Sequence, residues 1–375
     1  MIRGHYLISG YPENSLLILK EGERLSKELG DEKGLVIFHS RMGRYYGLKA
    51  RNPLGGIEYS EQSFQQAESI GNIELAVRTG YDLCPSYAVA GQFSKIIDLA
   101  PKIIFLLEES KKGHESFGTD LNAYSGIHGY YAVSKAWLGY FQEGEVLINK
   151  ALRFSAKIND IPSIGWLQFI YGQMLVVKGD GIRAIEHFQN SISQFEETKF
   201  FSALGQAWTM LGWGYYLMNE LDTALEHIEK GLEIQKGSQI GWWLPLPYWL
   251  LSLIHCDLGD INRATVNVEK ALKLSQKNHE KIMEGLSWSG LGRLLSRNDP
   301  LDNKAKDYIL KGIQVLDELT LRPASFLGYL FLGELCIDTG RKKMAMESLS
   351  KAERMFREMG MDYWLYRTQK VLARL

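Results

Sequence analysis

Cysteine is scarce and scattered in this sequence: Cys84, Cys256 and Cys336 are odd in number and far apart. Neither a disulfide framework nor a zinc-ligand spacing is present, so a reducing, cytoplasmic setting is expected. Charge of one sign is missing as well. With 43 basic against 44 acidic side chains the formal net charge is -1, which offers no electrostatic footprint for a phosphate backbone. Arg341-Lys342-Lys343 is the nearest thing to a basic cluster, so neither nucleic acid nor a lipid surface is an expected partner. Long hydrophobic runs are also lacking. The apolar stretch within Met1 to Lys20 is too short for a secretory signal and is broken by Glu13. Gly237 to Cys256 is uncharged over about the length of a membrane helix, but Pro245, Pro247 and Gln239 interrupt it and no span is expected.

Catalytic motifs are absent where they can be checked. There is no Gly-x-x-x-x-Gly-Lys-Ser/Thr loop to cradle phosphates. Gly212-Trp213-Gly214 and Gly290-Leu291-Gly292 resemble half of a dinucleotide fingerprint but lie inside predicted helices with no preceding strand. His279-Glu280 and His114-Glu115 lack the second histidine of a zinc protease motif. His187 and His227 occupy equivalent positions, each after a glutamate, which duplication explains better than a metal pair does. No enzyme activity, cofactor or metal is expected.

What is there is repetition. A chain of 375 residues exceeds the usual single core, so it must divide or grow by repeats. Gly144, Ala184, Ala224, Ala264, Ala305 and Ala345 are separated by 40, 40, 40, 41 and 40 residues. Four residues beyond each lies an apolar residue: Ile148, Phe188, Ile228, Val268, Ile309 and Leu349. Seven beyond lies a small one: Ala151, Ser191, Gly231, Ala271, Gly312 and Ala352. Steps of four and three define one helical face, and a small, large, small stripe lets a partner helix approach closely. That partner carries Ala132, Gly172, Gly212, Ser252 or Gly333 twelve residues before the anchor, and Gly292 thirteen before in the longer repeat. Linking turns such as Lys178-Gly179-Asp180-Gly181 and Gly259-Asp260 combine helix-stop and N-cap chemistry. Each repeat is therefore a helical hairpin. Ser60, Phe64 and Ala67, and before them Ser15, Leu19 and Gly22, repeat the stripe more loosely. Pro101 blurs the register between Gln92 and Lys112. One domain spans 1–375, with degenerate repeats over 1–118, regular ones over 119–360 and a capping helix over 361–375. The leading apolar run Leu16 to Leu19 reads as a helix awaiting a neighbour, as if a segment preceded it in relatives.

The order Trp208, Gly212, Ala224, Ile228, Gly231, and again Trp288, Gly292, Ala305, Ile309, Gly312, resembles the tetratricopeptide repeat. The departure is the period, 40 here against about 34 in that family, accommodated by helices of about 17 residues and 25 Å. The resemblance implies an all-α, right-handed superhelical α-solenoid. The closing segment Lys351 to Leu365 and the breaks at Glu28-Leu29-Gly30-Asp31 and Ile70-Gly71-Asn72 are similar to the long-period arrays of bacterial signalling ATPases, adenylate cyclases and LuxR-type regulators. That likeness implies a sensor or scaffold segment. No cyclase or ATPase activity transfers, because their motifs are absent.

The first helix of each hairpin carries two stripes. Trp208, Leu211, Gly212 and Tyr215 face the partner helix, which makes Trp208 and Trp288 expected core residues. The second stripe holds Gln206, Thr209, Trp213 and Tyr216, with Trp166, Phe169 and Gln173 before it, then Trp249, Arg293 and Glu334. In the tetratricopeptide family such a stripe lines the concave surface. Trp166, Phe169, Gln173, Trp213, Tyr216, Trp249, Arg293 and Glu334 are thus the candidate binding residues, suited to a peptide, a protein partner or a small apolar ligand. The alternative is that a tightly wound superhelix covers them. Two functions follow: a non-enzymatic scaffold or sensor binding a peptide or protein in its groove, or a ligand-gated regulator whose superhelix changes shape.

Overall fold

The computed structural model describes residues 14–238, 242–299, 301 and 303–375, among which eighteen α-helices and no strand are found. A leading helix, α1 (Ser15–Leu29), precedes eight hairpins and a closing helix. The hairpins pair α2 (Glu32–Arg44) with α3 (Pro53–Ile70), α4 (Ile73–Ala90) with α5 (Phe93–Glu109), α6 (Ala123–Trp137) with α7 (Phe141–Lys157), and α8 (Ile161–Lys178) with α9 (Gly181–Glu197). They continue as α10 (Leu204–Leu217) with α11 (Leu221–Ser238), α12 (Pro245–Asp257) with α13 (Ile261–Lys277), α14 (Lys281–Asn298) with α15 (Asn303–Glu318), and α16 (Arg322–Asp338) with α17 (Lys342–Met359). α18 (Asp362–Leu372) closes the array. Even-numbered helices pack on one another along the inside, and odd-numbered ones form the outer layer.

The outer helices owe their place to the small, large, small stripe. Ala184, Phe188, Ser191 and their equivalents Ala264, Val268, Ala271 are fully buried. The inner helix supplies the matching hollow: a methyl group on Gly212 would stand 2.5 Å from Ile228 Cγ1 and 2.8 Å from the Ala224 carbonyl oxygen, closer than atoms can approach. Between helices the chain turns as its residues require. Gly179 (φ 94°) and Asn219 (φ 62°) leave in the left-handed region, and Asp180 and Asp260 accept the Arg183 and Arg263 amides at the next N-terminus. Pro101 lies within a continuous α5, and Ile96 and Ile103 on either side of it are buried.

Trp208 and Trp288 depart from expectation. Both are half-buried at the hairpin's edge, roofed by Lys230 at 3.4 Å and Lys311 at 3.8 Å. Lys270 over Tyr248 and Lys351 over Tyr329 repeat the arrangement at 4.3 Å and 3.9 Å. Each lysine stem covers the ring that its charge also attracts, so the lysines form a ladder along the flank, with Trp208, Trp288 and Tyr329 half-buried beneath it and Tyr248 buried.

The array winds until it touches itself. Gly91, at the turn of the second hairpin, faces Ile282 and Leu319 of the seventh; Gly139 of the third faces Met359 and Arg322 of the eighth; Gly179 of the fourth faces Tyr363 and Trp364 of α18. The offset is constant at five hairpins, so successive turns of the superhelix meet along a regular seam. Gly139 has φ 93°, and a methyl group there would lie 2.6 Å from Met359 Sδ. Both its backbone and its neighbour call for glycine. At the start of the array α1 carries the outer-helix stripe, with Ser15, Leu19 and Gly22 buried, and leaves Leu17 and Ile18 exposed.

Candidate functional site

The eight candidate residues fall into three places, not one groove. Trp213 and Trp249 lie on the axis of the superhelix, where Trp137, Val177, Leu286, Leu327 and Trp364 from five other inner helices converge. The space left is about 20 Å³, room for about one water molecule. The two indoles meet edge to face at 5.6 Å, and Trp249 Nε1 donates to the Leu286 carbonyl at 3.1 Å. Large apolar side chains from every side of the winding fill its centre, and an open concave groove at these positions is thereby closed.

Tyr216, Arg293 and Glu334 form a covered polar network beside that axis. Arg293 Nε donates to Glu334 Oε2 at 3.0 Å, and its Nη1 lies 3.6 Å from Asp257 Oδ1. Tyr216 donates its hydroxyl to Asp257 Oδ2 at 2.8 Å and receives Arg367 Nη1 at 3.4 Å. Burial works against the Arg293 cation, but Glu334 and Asp257 more than offset it and hold its pKa above the ordinary value. Burial raises the Tyr216 phenol as well. These contacts link α10, α12, α14, α16 and α18.

Trp166, Phe169 and Gln173 differ, because they line a cavity. It lies between turns: Phe93, Tyr130 and Arg44 come from the first turn, Trp242 and Trp243 from the segment ahead of α12. Its free volume is about 60 Å³, and the Trp166 Nε1 proton is buried there without an acceptor. Trp242 packs on Leu48 and Val89, and Trp243 sets its edge on Trp137 at 6.0 Å. Gln206 Nε2 holds the Trp242 carbonyl at 3.0 Å, while the fully buried Glu280 accepts the Trp243 amide. Burial pushes the Glu280 carboxyl up to about 8 against the lowering pull of Asn278, that amide and Arg51.

Arg44 and Asp120 also line a second, larger cavity of about 820 Å³, within the range of ligand sites. Its walls are α1, α2, α4 and the 110–122 loop, contributing Leu19, Ile37, Phe38, Leu75 and Phe117 with Arg41 and Arg78. Arg44 Nη1 donates to Asp82 Oδ1 at 2.7 Å, and its Nη2 lies 2.6 Å from Asp120 Oδ2. Ser40 Oγ donates to Asp82 Oδ2 at 2.6 Å, and Arg41 Nη2 donates to the Gly118 carbonyl at 2.8 Å. Burial alone would raise Asp82, but Arg44, Arg41 and Arg78 together hold it below its ordinary value.

Sequence reasoning missed this cluster, although a signal for it exists. Cys84 and Ile96 are twelve residues apart, the interval of Gly172 and Ala184. Carrying that register back places Arg78 where α8 has Trp166, and Tyr81 where it has Phe169. Pro101 in α5 obscured the match. Arg41 and Arg44, three apart, share one face of α2, which a π-helical turn at Tyr45–Lys49 extends.

Elsewhere the histidines are packing groups. His187 bonds Gln168 and stacks on Tyr171 with centroids 4.2 Å apart, and His227 lies against Trp208 at 5.3 Å. Among the described residues no group of three His, Cys, Asp or Glu could hold a metal ion, and no helix is long and apolar enough to cross a membrane.

Residues 328–358 match the tetratricopeptide repeat family. None of the curated proteins matches the sequence. Among solved structures, a Rap protein complexed with Competence and Sporulation Factor is similar with a TM-score of 0.57 and 14% identity, over 78% of this chain and 80% of that one. The apo form of the quorum sensor NprR from B. thuringiensis gives 0.53 at 16% identity, over 92% and 94%. A signal transduction ATPase with numerous domains and a tetratricopeptide repeat sensor, PH0952 from Pyrococcus horikoshii, gives 0.50 at 15% identity; it is matched over 98% of this chain and 53% of that one. At such identities the likeness is one of fold. Helical hairpins with the small, large, small stripe, the matched repeat at 328–358 and these neighbours agree: the chain is a tetratricopeptide-like helical repeat protein.

Proposed function

We propose that the chain is a non-enzymatic, cytoplasmic sensor module that takes up an extended peptide, or a peptide-like segment of a protein partner, in the first turn of its superhelix. The observation that carries this reading is the pair of cavities that meet at Arg44 and Asp120. One is small and walled by aromatic rings, suited to anchoring a side chain; the other is long and partly polar, suited to a backbone and its charges. Trp166, Phe169 and Gln173 are the binding residues in this reading, and Trp213, Tyr216, Trp249, Arg293 and Glu334 hold the scaffold. The Rap protein solved with Competence and Sporulation Factor and the quorum sensor NprR lend support from proteins of similar fold, and favour a role in bacterial signalling. The test is panning the full chain against an array of short random peptides. Binders should be lost in Phe169→Ala and kept in Lys311→Ala, a flank substitution; binding unchanged in Phe169→Ala would sink the placement.

A second reading has its own observation. The small cavity lies on the seam, and with about 60 Å³ free a side chain can enter only by parting Trp242 and Trp243 from Leu48, Val89 and Trp137. Binding would then loosen contacts between turns and change the winding, which makes the module a ligand-gated regulator. Solution scattering with and without an array-derived peptide should show a changed radius of gyration; a rigid profile would contradict gating.

A further inference from the structure

The larger cavity holds an imbalance of charge. Arg41, Arg44 and Arg78 converge on it, facing the two carboxylates Asp82 and Asp120. Those carboxylates are taken: Asp82 by Arg44 and Ser40, Asp120 by Arg44. The other acids on the rim are matched too, since Lys112 lies 3.0 Å from Glu74 and 3.9 Å from Glu115. Arg78 is left over. It forms no hydrogen bond or ion pair among the described residues, and its Nε is buried without an acceptor. Burial, with the like charges of Arg41 and Arg44, lowers its pKa by more than the more distant Asp82 and Asp120 restore. Arg293 is the more deeply buried of the two, yet it is matched by Glu334 and Asp257, which is how this fold treats a guanidinium that serves only structure. A covered, unpaired guanidinium is costly, and its planar fork is built for two carboxylate oxygens. Gly118 (φ 70°) closes over it, a methyl group there standing 3.2 Å from Arg78 Nη1, so the loop leaves the guanidinium facing the cavity and nothing larger beside it.

We propose that this cavity takes a carboxylate of the peptide ligand, gripped by Arg78 with Arg41 beside it. The proposal rests on the peptide-binding reading above and names the chemistry that the ligand must carry. The carboxylate is either the peptide's C-terminus or an Asp or Glu side chain, and both present the same two oxygens.

The experiment uses the full chain and short random peptides arrayed in three versions: free C-terminus, amidated C-terminus, and free C-terminus with every Asp and Glu replaced by Asn and Gln. Binders of the first version should lose at least about tenfold in one of the other two, the scale of a lost charge-assisted hydrogen bond. Loss on amidation assigns the C-terminal group and loss on neutralisation assigns the side chain; either supports the site. Arg78→Gln should lose the same factor against the first version and bind the carboxylate-free peptides as the natural chain does, with Arg78→Lys recovering part. Its unliganded melting temperature should equal or exceed that of the natural chain, because an unmatched cation has been removed. A residue that merely braced the fold would lower it. Binders indifferent to both changes, or held equally by Arg78→Gln, overturn the carboxylate site and leave peptide binding standing. An array with no binders overturns peptide binding, and this site with it.

Discussion

The later turn of the superhelix and the first are made from the same hairpin and differ along their inner faces. In the later turn Trp213, Trp249 and Trp364 reach the axis, meet Trp137 and Val177 of the third and fourth hairpins there and leave about 20 Å³, and the arginine beside them is matched by two acids. In the first turn the corresponding faces of α2 and α4 present Arg41, Arg44 and Arg78, and about 820 Å³ stays open. The outer stripe is buried in both, at Ala264 and Val268 in the later turn and at Ser60 and Ala67 in the first. Hairpin stacking is therefore indifferent to what the inner helix carries inward, and the inner stripe alone decides whether a turn becomes core or cleft. A fold that stacks by its outer faces is free to hollow one turn for a ligand while another holds the array together.

The sharpest way to break this comparison is at the axis. Trp249→Ala should cost about 3–5 kcal/mol of unfolding free energy, read from the urea midpoint; a loss near zero would mean that the later turn is not core. The two arginines come next. Arg293→Met removes a buried guanidinium from Glu334 and Asp257, both only partly covered, and should cost about 2 kcal/mol, whereas Arg78→Gln should change stability by no more than about 0.5 kcal/mol, or raise it. Equal losses would erase the distinction between the turns.

The seam offers two finer tests. Glu280 braces the Trp243 segment, and burial raises its pKa from the ordinary 4.5 to about 8. The folded chain thus holds the proton more tightly than the unfolded one. Its contribution is complete below pH 4.5 and is lost as the pH rises through about 8. The melting temperature should fall across that window, and Glu280→Gln should flatten the fall; a parallel profile in both would remove Glu280 from the seam's account. The smallest effect compares Gly139→Ala with Gly340→Ala. Both residues have positive φ, but Gly340 faces open space and Gly139 faces Met359. Gly340→Ala should cost about 1 kcal/mol for backbone strain alone, and Gly139→Ala about 1 kcal/mol more for the crowded seam. Equal costs would mean that the turns do not press on each other there.

Much of the fold was legible because stacking is local. The anchors from Gly144 to Ala345, the small partner residues and the capping turns all recur at fixed intervals, and each is explained by a contact within one hairpin. The closure of the winding was not legible. It joins hairpins five apart through residues such as Gly91 and Ile282, whose pairing leaves no periodic trace. For that reason Trp213 and Trp249 read equally well as groove or core, and Trp208, which looked like core, could lie on the flank under Lys230. Of the candidate site, Trp166, Phe169 and Gln173 reach a cavity. Their partners Arg41, Arg44 and Arg78 lie in repeats too worn for spacing to align, and Asp120 lies in a loop outside the register altogether.

The central claim is that ligand enters the first turn and leaves the later axis alone. Amide hydrogen exchange on the full chain, with and without an array-selected peptide, tests it most directly. Protection gained in α2, α4, the 110–122 loop and the segment around Trp242 and Trp243, with α10, α12 and α14 unchanged, is the predicted result. Protection confined to α10 through α18 would contradict it.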